Sequence, residues 1–350
     1  MKKVLKVILI ILLAIIALAV LLLGYLTIRE YNPADVTPAE TRIAGVTETV
    51  SKGDTLNIVS WNIGYASLGK ERDFVMDGGG NAPACTKEDV LNYLDRIKSS
   101  LDYENTDIFM FQETDTKASR SFFIDQRDYL SAGNDAFALN YCCDFVPFPW
   151  PPFGFIRAGV TTTSGCDLSD SIRVSLPCPF SWPLRTANLK RCLLVSYIPV
   201  EGSDSKLVIV NHHLEAYDDG EGKIAQTRQL REFCQSEYEK GNWVIAGGDW
   251  NQGFPGSTDI YPNNHPDLWE IGWLDDSTIP EGFQFAYDLT TPSCRLLNQP
   301  YNPADTANTQ YYVIDGFILS PNIELNSVET LDKDFANSDH NPVHLEVTLK

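Results

Sequence analysis

Basic residues are scarce in this 350-residue chain: 27 Lys and Arg stand against 47 Asp and Glu, for a formal charge of -20. Lys2, Lys3 and Lys6 sit at the extreme N-terminus, so the remainder stands at -23, with 24 basic residues against 47 acidic ones. The basic stripe by which a nucleic-acid binder usually grips phosphates is not evident. This weighs against a nuclease, while leaving room for one whose metals and local groove supply positive charge. The eight cysteines are too sparse for a disulfide scaffold. No Cys-x-x-Cys pair occurs, which argues against structural zinc. Gly78-Gly79-Gly80 lacks the Lys-Ser/Thr and helix start of a phosphate loop and reads as a mobile surface loop. There is no internal repeat.

Apolar residues, by contrast, are concentrated at the start. Residues 7–28 carry no charge, a run of about 22 residues, long enough to span a bilayer and longer than the ~7–15 residue core of a cleavable signal. Ala17-Leu18-Ala19 lies inside the run, so no good cleavage site follows it. The preceding lysines stay on the cytoplasmic side, which places the rest of the chain outside as a single-pass membrane protein. A cleaved export signal is the alternative and also takes the chain out of the cytoplasm. Such a setting permits disulfides, although Cys234, within a helical pattern, reads as a buried free thiol. Residues 29–53, polar and holding Pro33 and Pro38, read as a tether, and residues 54–350 as one catalytic domain acting as a monomer.

Within that domain, strand-like runs cover residues 56–61, 108–111, 136–141, 158–163, 171–176, 192–198, 207–211, 243–246, 311–319, 327–331 and 343–349. Helical patterns cover residues 87–101, with Thr86 as N-cap, and 223–240, stopped by Gly241; a weaker one lies at 119–130. Many strands with few helices between them predict an α/β fold: a four-layer sandwich of two mostly antiparallel sheets flanked by helices.

Polar clusters stand at the ends of these runs: Trp61-Asn62, Gln112-Glu113, Asn211-His212-His213-Leu214, Gly248-Asp249-Trp250-Asn251, Ile314-Asp315 and Ser338-Asp339-His340. Taken singly, each has a plainer reading as a turn former, a strand-end charge or a satisfied histidine. Together they supply oxygen ligands for a hard divalent cation and imidazoles able to move protons near neutral pH. Phosphoryl transfer needs that combination.

In this order the clusters resemble the endonuclease/exonuclease/phosphatase superfamily, which includes deoxyribonucleases, abasic-site endonucleases, neutral sphingomyelinases and inositol polyphosphate phosphatases. The resemblance spans about residues 56–349. It implies a Mg²⁺-dependent phosphoric ester hydrolase, with Mn²⁺ as the alternative ion. Asn62, Glu113, Asp249 and Asp339 become the expected metal ligands, Glu113 the principal one. Asp249 would orient or deprotonate the attacking water, and Asn251 would hold a phosphate oxygen. His340, held by Asp339, would act as base or stabilise phosphoryl charge. His213 would stabilise the transition state or protonate the leaving oxygen, and Asp315 would support the metal or the histidines. His212 stands where the family commonly has Thr, so the histidine role falls to His213 or His212; Leu214 after His213 favours the former.

Two features bear on the substrate. Residues 145–155 hold five aromatics and four prolines, which exclude a regular helix or central strand. They read as a stiff loop that lines the pocket, dips into a membrane interface, or packs over the sheet. Arg157, Arg173, Arg185, Lys190 and Arg191 could meet an anionic headgroup or be solvated loop charges. Proximity to a bilayer, acidity and the aromatic loop favour a phosphodiesterase of lipid or small organophosphate esters. A membrane-anchored extracellular nuclease and a catalytically silent binding module are the competing readings.

Overall fold

The computed structural model describes residues 2–45, 47–80, 85–149, 151–218, 220–305 and 308–350. Two sheets stack face to face. In one, the strands run in the order Val36–Pro38, Ser171–Ser175, Cys192–Glu201, Lys206–His213, Trp243–Asp249, Asp315–Leu319 and Gln284–Ala286, with Val50–Ser51 also paired to Cys192–Glu201. In the other the order is Ile323–Thr330, Val343–Leu349, Thr55–Asn62, Ile108–Asp115, Gly154–Ser164, Asn134–Val146 and Glu40–Arg42. Most neighbours are antiparallel. Each sheet nevertheless holds one long parallel pair at its centre: Lys206–His213 beside Trp243–Asp249, and Thr55–Asn62 beside Ile108–Asp115.

Alternation along these strands divides the burial. Ile58, Met110, Leu194, Ile209, Ile245, Phe317 and Leu345 fill the space between the sheets. The opposite face of the first sheet offers Val208, Val210 and Val244 to Leu230 and Cys234 of helix Glu221–Glu239. The outer face of the second offers Val59, Trp61 and Phe109 to Val90, Leu94 and Ile97 of helix Lys87–Ser99. That helix begins at Thr86, whose hydroxyl accepts from the Asp89 N–H while the Asp89 carboxylate accepts from the Thr86 N–H, a reciprocal cap. The result is the four-layer sandwich expected from the sequence.

Three expectations need correction. The segment read as a tether is not free of the domain, since Val36–Pro38, Glu40–Arg42 and Val50–Ser51 add edge strands to both sheets. The glycine run read as a mobile surface loop is packed at its middle, where a Cβ on Gly79 would lie 2.7 Å from the Leu297 carbonyl oxygen, while Gly78 and Gly80 are exposed. The weak helical pattern at 119–130 resolves into two short turns, Ser119–Ser121 and Arg127–Leu130. All eight cysteines are free thiols.

Helix Lys2–Ile28 is long and apolar enough to cross a membrane. It stands away from the sandwich except at its last turns, where Leu26 is buried against Cys143, Val146 and Ile156.

Candidate active site

Parallel central pairs carry their strand C-termini to the same edge of the sandwich, and the antiparallel neighbours begin there. Asn62 and Glu113 therefore meet His213, Asp249, Asp315 and the turn 338–340 at one rim, as is usual for ligand sites of sheets with a parallel centre. Below the rim, two carboxamides lock the sheets together. Gln112 Nε2 donates to Asn211 Oδ1 at 2.9 Å, and Asn211 Nδ2 donates to the Thr161 carbonyl at 2.9 Å.

The turn holding His340 is fixed to the end of the first long strand. Ser338 Oγ donates to the Asn62 carbonyl at 2.7 Å, and Trp61 Nε1 donates to the His340 carbonyl at 2.8 Å. Glu113 sits at a bulge between Phe111 and Thr114 with φ of 55°, which turns its side chain out of the ladder into the cavity. Asn251 also has positive φ, 51°, and its N–H donates to Asp249 Oδ1 at 2.9 Å. Its side-chain amide donates to the Leu214 carbonyl at 2.9 Å.

Asp249 is the hub. Its Oδ2 accepts from Asn62 Nδ2 at 2.9 Å and lies 3.2 Å from His213 Nε2 and 3.7 Å from His340 Nε2. The same Asn62 nitrogen lies 3.3 Å from Glu113 Oε1, while Asn62 Oδ1 accepts from the Gly64 N–H at 3.0 Å. Asn62 is thus a donor between two carboxylates. Both Asp249 oxygens accept hydrogen bonds, whereas Glu113 and Asp339 each accept through one oxygen. Both line the cavity, and among the described residues neither has a cationic partner within 4.0 Å except His340 Nε2, 3.9 Å from Asp339. Burial, and then the Asp339 charge, raise the proton affinity of Glu113; burial does the same to Asp339. Two carboxylates so placed, Glu113 half-buried and Asp339 buried, are a donor set that fits a hard divalent ion. Asp249, Asp315 and His340 also come close enough to share an ion. There, however, Asp315 is already committed to the imidazole.

His340 is not held by Asp339, as the sequence suggested. Its Nδ1 lies 2.8 Å from Asp315 Oδ2, and that oxygen also accepts from Ser293 Oγ at 2.7 Å. Burial opposes the imidazolium, but the charges of Asp315, Asp249 and Asp339 outweigh it and push the His340 pKa well above its ordinary value. His213 moves the other way: burial, then the Arg191 charge, lower it. The two imidazoles are thus driven in opposite directions, His340 toward the imidazolium and His213 toward the neutral ring.

His212 points to the opposite face of its strand. It is fully buried, packs edge-on against Trp250 with ring centroids 4.6 Å apart, and its ring nitrogens bond nothing. Burial holds its pKa near 3. Of the two adjacent histidines only His213 reaches the site.

The rim opens into a cavity of about 570 Å³. Residues 146–149 and Phe153 of the proline-rich segment line it, so the pocket-lining reading of that loop is the one its geometry matches; Trp150 lies outside the described residues. The basic residues divide. Arg157 bonds Asp144, Lys190 and Arg185 pair with Glu30, and Arg173 bonds the Leu139 and Lys190 carbonyls. None of these four lines the cavity. Arg191 does: it is buried, 3.6 Å from Glu215, and donates to the His213 carbonyl at 3.3 Å. Ser293 was invisible in the sequence, where nothing in Thr-Pro-Ser-Cys marks it as the support of Asp315.

No family model and no curated protein sequence matches the chain. Among solved structures it is similar to an endonuclease/exonuclease/phosphatase from Beutenbergia cavernae DSM 12333, at 17% identity over 84% of this chain and 72% of that one, with a TM-score of 0.55. It is also similar to a family protein of Bacteroides thetaiotaomicron, at 14% identity over 85% and 99% of the two chains, TM-score 0.52. A third, from Bacteroides vulgatus, shares 15% identity over 85% and 100%, TM-score 0.51. Likeness this distant speaks of architecture, and the chain has the fold of the endonuclease/exonuclease/phosphatase superfamily.

Proposed function

We propose that the chain is a metal-dependent phosphoric ester hydrolase, a phosphodiesterase of lipid or small organophosphate substrates, anchored in a membrane with its catalytic domain outside the cytoplasm. One observation carries this reading: Glu113, Asp339, Asp249, His213 and His340 converge at one end of a cavity whose other walls include many apolar side chains. Glu113 and Asp339 would hold Mg²⁺, or Mn²⁺ in its place. The ion would neutralise charge on the phosphoryl oxygens.

The chain's own groups divide the rest of the work. Asp249, whose proton affinity burial raises, faces the cavity as acceptor for a proton of the attacking water. Asn62, His213 and the Asn251 N–H fix that carboxylate from three sides. The His340 imidazolium, fixed by Asp315, places positive charge beside the phosphoryl group. As water oxygen bonds to phosphorus, its proton passes to Asp249, and the ester oxygen leaves with the bonding pair and takes a proton from solvent water.

The test is headgroup release from mixed phospholipid vesicles by the full chain with Mg²⁺, with His340→Ala as the blank. Release that needs both Mg²⁺ and His340 is expected. Cleavage of DNA or RNA without lipid turnover would replace this reading with a surface nuclease.

A further inference from the structure

The cavity, about 570 Å³, is larger than a phosphodiester group needs. Away from the carboxylates its lining takes in apolar side chains of two segments, Val146, Pro147 and Phe148 on one and Leu184, Ala187 and Leu189 on the other, which we treat as an apolar arm. Both segments are fastened to the last turns of the apolar N-terminal helix. On the first side, Tyr25 and Arg29 donate to Asp144 at 2.9 and 2.8 Å, and Leu26, only 6% exposed, packs with Val146 and Ala158. On the second, Trp182 Nε1 donates to Thr27 Oγ1 at 3.1 Å, and Lys190 Nζ reaches Glu30 at 2.9 Å. The apolar run of the helix ends at residue 28, so a bilayer spanned by it ends where these two walls begin. Apolar tips are left uncovered at the same place: Phe148 is 51% exposed, Trp182 54% and Leu184 68%. Trp and apolar side chains so placed suit the membrane interface.

We infer that the arm between residues 146–148 and Leu184–Ala187 receives a hydrocarbon chain of a phospholipid in the same bilayer that the helix spans. The lipid's phosphodiester then reaches Glu113 and Asp339 without the whole molecule leaving its leaflet. The helix is in this view a part of the binding site, since its last turns hold both walls of the arm. This inference rests on the phosphodiesterase reading, and its test separates the two.

The full chain in phosphatidylcholine vesicles with Mg²⁺ is given a series of soluble p-nitrophenyl alkyl phosphates, from methyl to octyl. kcat/KM should climb by up to roughly fourfold per methylene buried, and level off when the arm is full. Leu184→Asp, at an exposed position that tolerates the change, should flatten the climb. Turnover of the methyl ester with a flat series would overturn the inference and leave the phosphodiesterase intact. A second measurement is independent of turnover. A phospholipid with a diazirine at its chain end, carried in the vesicles, should crosslink to residues 146–148 and Leu184–Leu189. Crosslinks confined to residues 2–28 would also overturn the inference. Crosslinks in the arm with no turnover of any ester would keep the lipid site and sink the hydrolase.

Discussion

His340 Nδ1 sits 2.8 Å from Asp315 Oδ2, so the imidazole that tops one sheet is held by a carboxylate that begins a strand of the other. Asp339, its neighbour in the chain, lies 3.9 Å away on the opposite ring nitrogen. On the proposed reading the two carboxylates have separable duties, one to the ring and one to a bound cation.

Exchange of each for its amide should tell them apart. Asp315→Asn removes the charge that fixes the imidazolium, and the rate should fall by ~10²–10³-fold whatever the Mg²⁺ concentration. Asp339→Asn weakens the cation site, so its activity should recover in part as Mg²⁺ is raised. A Mg²⁺ titration of both variants checks this. Recovery of the Asp315 variant instead would reverse the assignment.

The adjacent histidines should behave oppositely. His213→Ala should lose at least ~10²-fold in rate with a folded spectrum. His212→Leu removes two buried nitrogens that bond nothing, so its melting temperature should hold or rise, and its activity should stay within tenfold of wild type. A larger loss from His212→Leu would move the catalytic role by one residue.

That distinction marks where the sequence is legible and where it stops. Alternation along Lys206–His213 decides which histidine faces the inter-sheet side, since Ile209 and Asn211 share that face with His213. The order of strands ending in polar clusters likewise makes the rim readable, because apolar period and strand-end chemistry are local. Pairings between distant elements are not local. Ser293 under Asp315, Asn62 as donor to Asp249, and the strands within residues 36–51 arise only when the sheets close. Polar composition made that last segment look like a tether, although edge strands are often polar.

Gln112 and Asn211 bond each other between the sheets, both fully buried. Replacing Gln112 by Leu leaves the Asn211 carbonyl unsatisfied and should cost about 1–3 kcal/mol. A double-mutant cycle with Asn211→Leu should give a coupling of about 0.5–3 kcal/mol, since the double variant strands neither partner. Denaturant unfolding measures it; additive losses would mean that the amides do not act as a pair.

Acid should loosen the helix end from the domain. Side-chain hydrogen bonds from Arg29 and Arg157 hold the Asp144 carboxyl down at about 2. A depressed folded pKa adds stability that is complete above the ordinary carboxylate value of about 3.9 and lost as pH falls through the folded value. The protection of amides at residues 25–30 against hydrogen exchange, relative to unstructured chain at the same pH, should therefore fall between about pH 4 and 2. Asp144→Asn should be fast at pH 5 already, and an unchanged exchange rate there would show that Asp144 does not pin the helix.

Gly248 is the glycine on which the site depends most directly. It pairs with His212 in the parallel register, has φ of 143°, and a Cβ there would lie 1.9 Å from the His212 carbonyl oxygen. That backbone conformation and that approach are open to glycine alone. The close pairing lets the next residues on each strand, Asp249 and His213, meet at 3.2 Å. Gly248→Ala must push the two strands apart or twist the peptide, at a cost of at least ~3 kcal/mol. The displacement falls on Asp249 first, so activity should vanish even in whatever fraction folds. Melting by fluorescence, with rate per folded molecule measured on the same sample, tests both halves. A variant that melts with the wild type and turns over normally would mean that the strands tolerate a side chain here, and that the site is not built on their closeness.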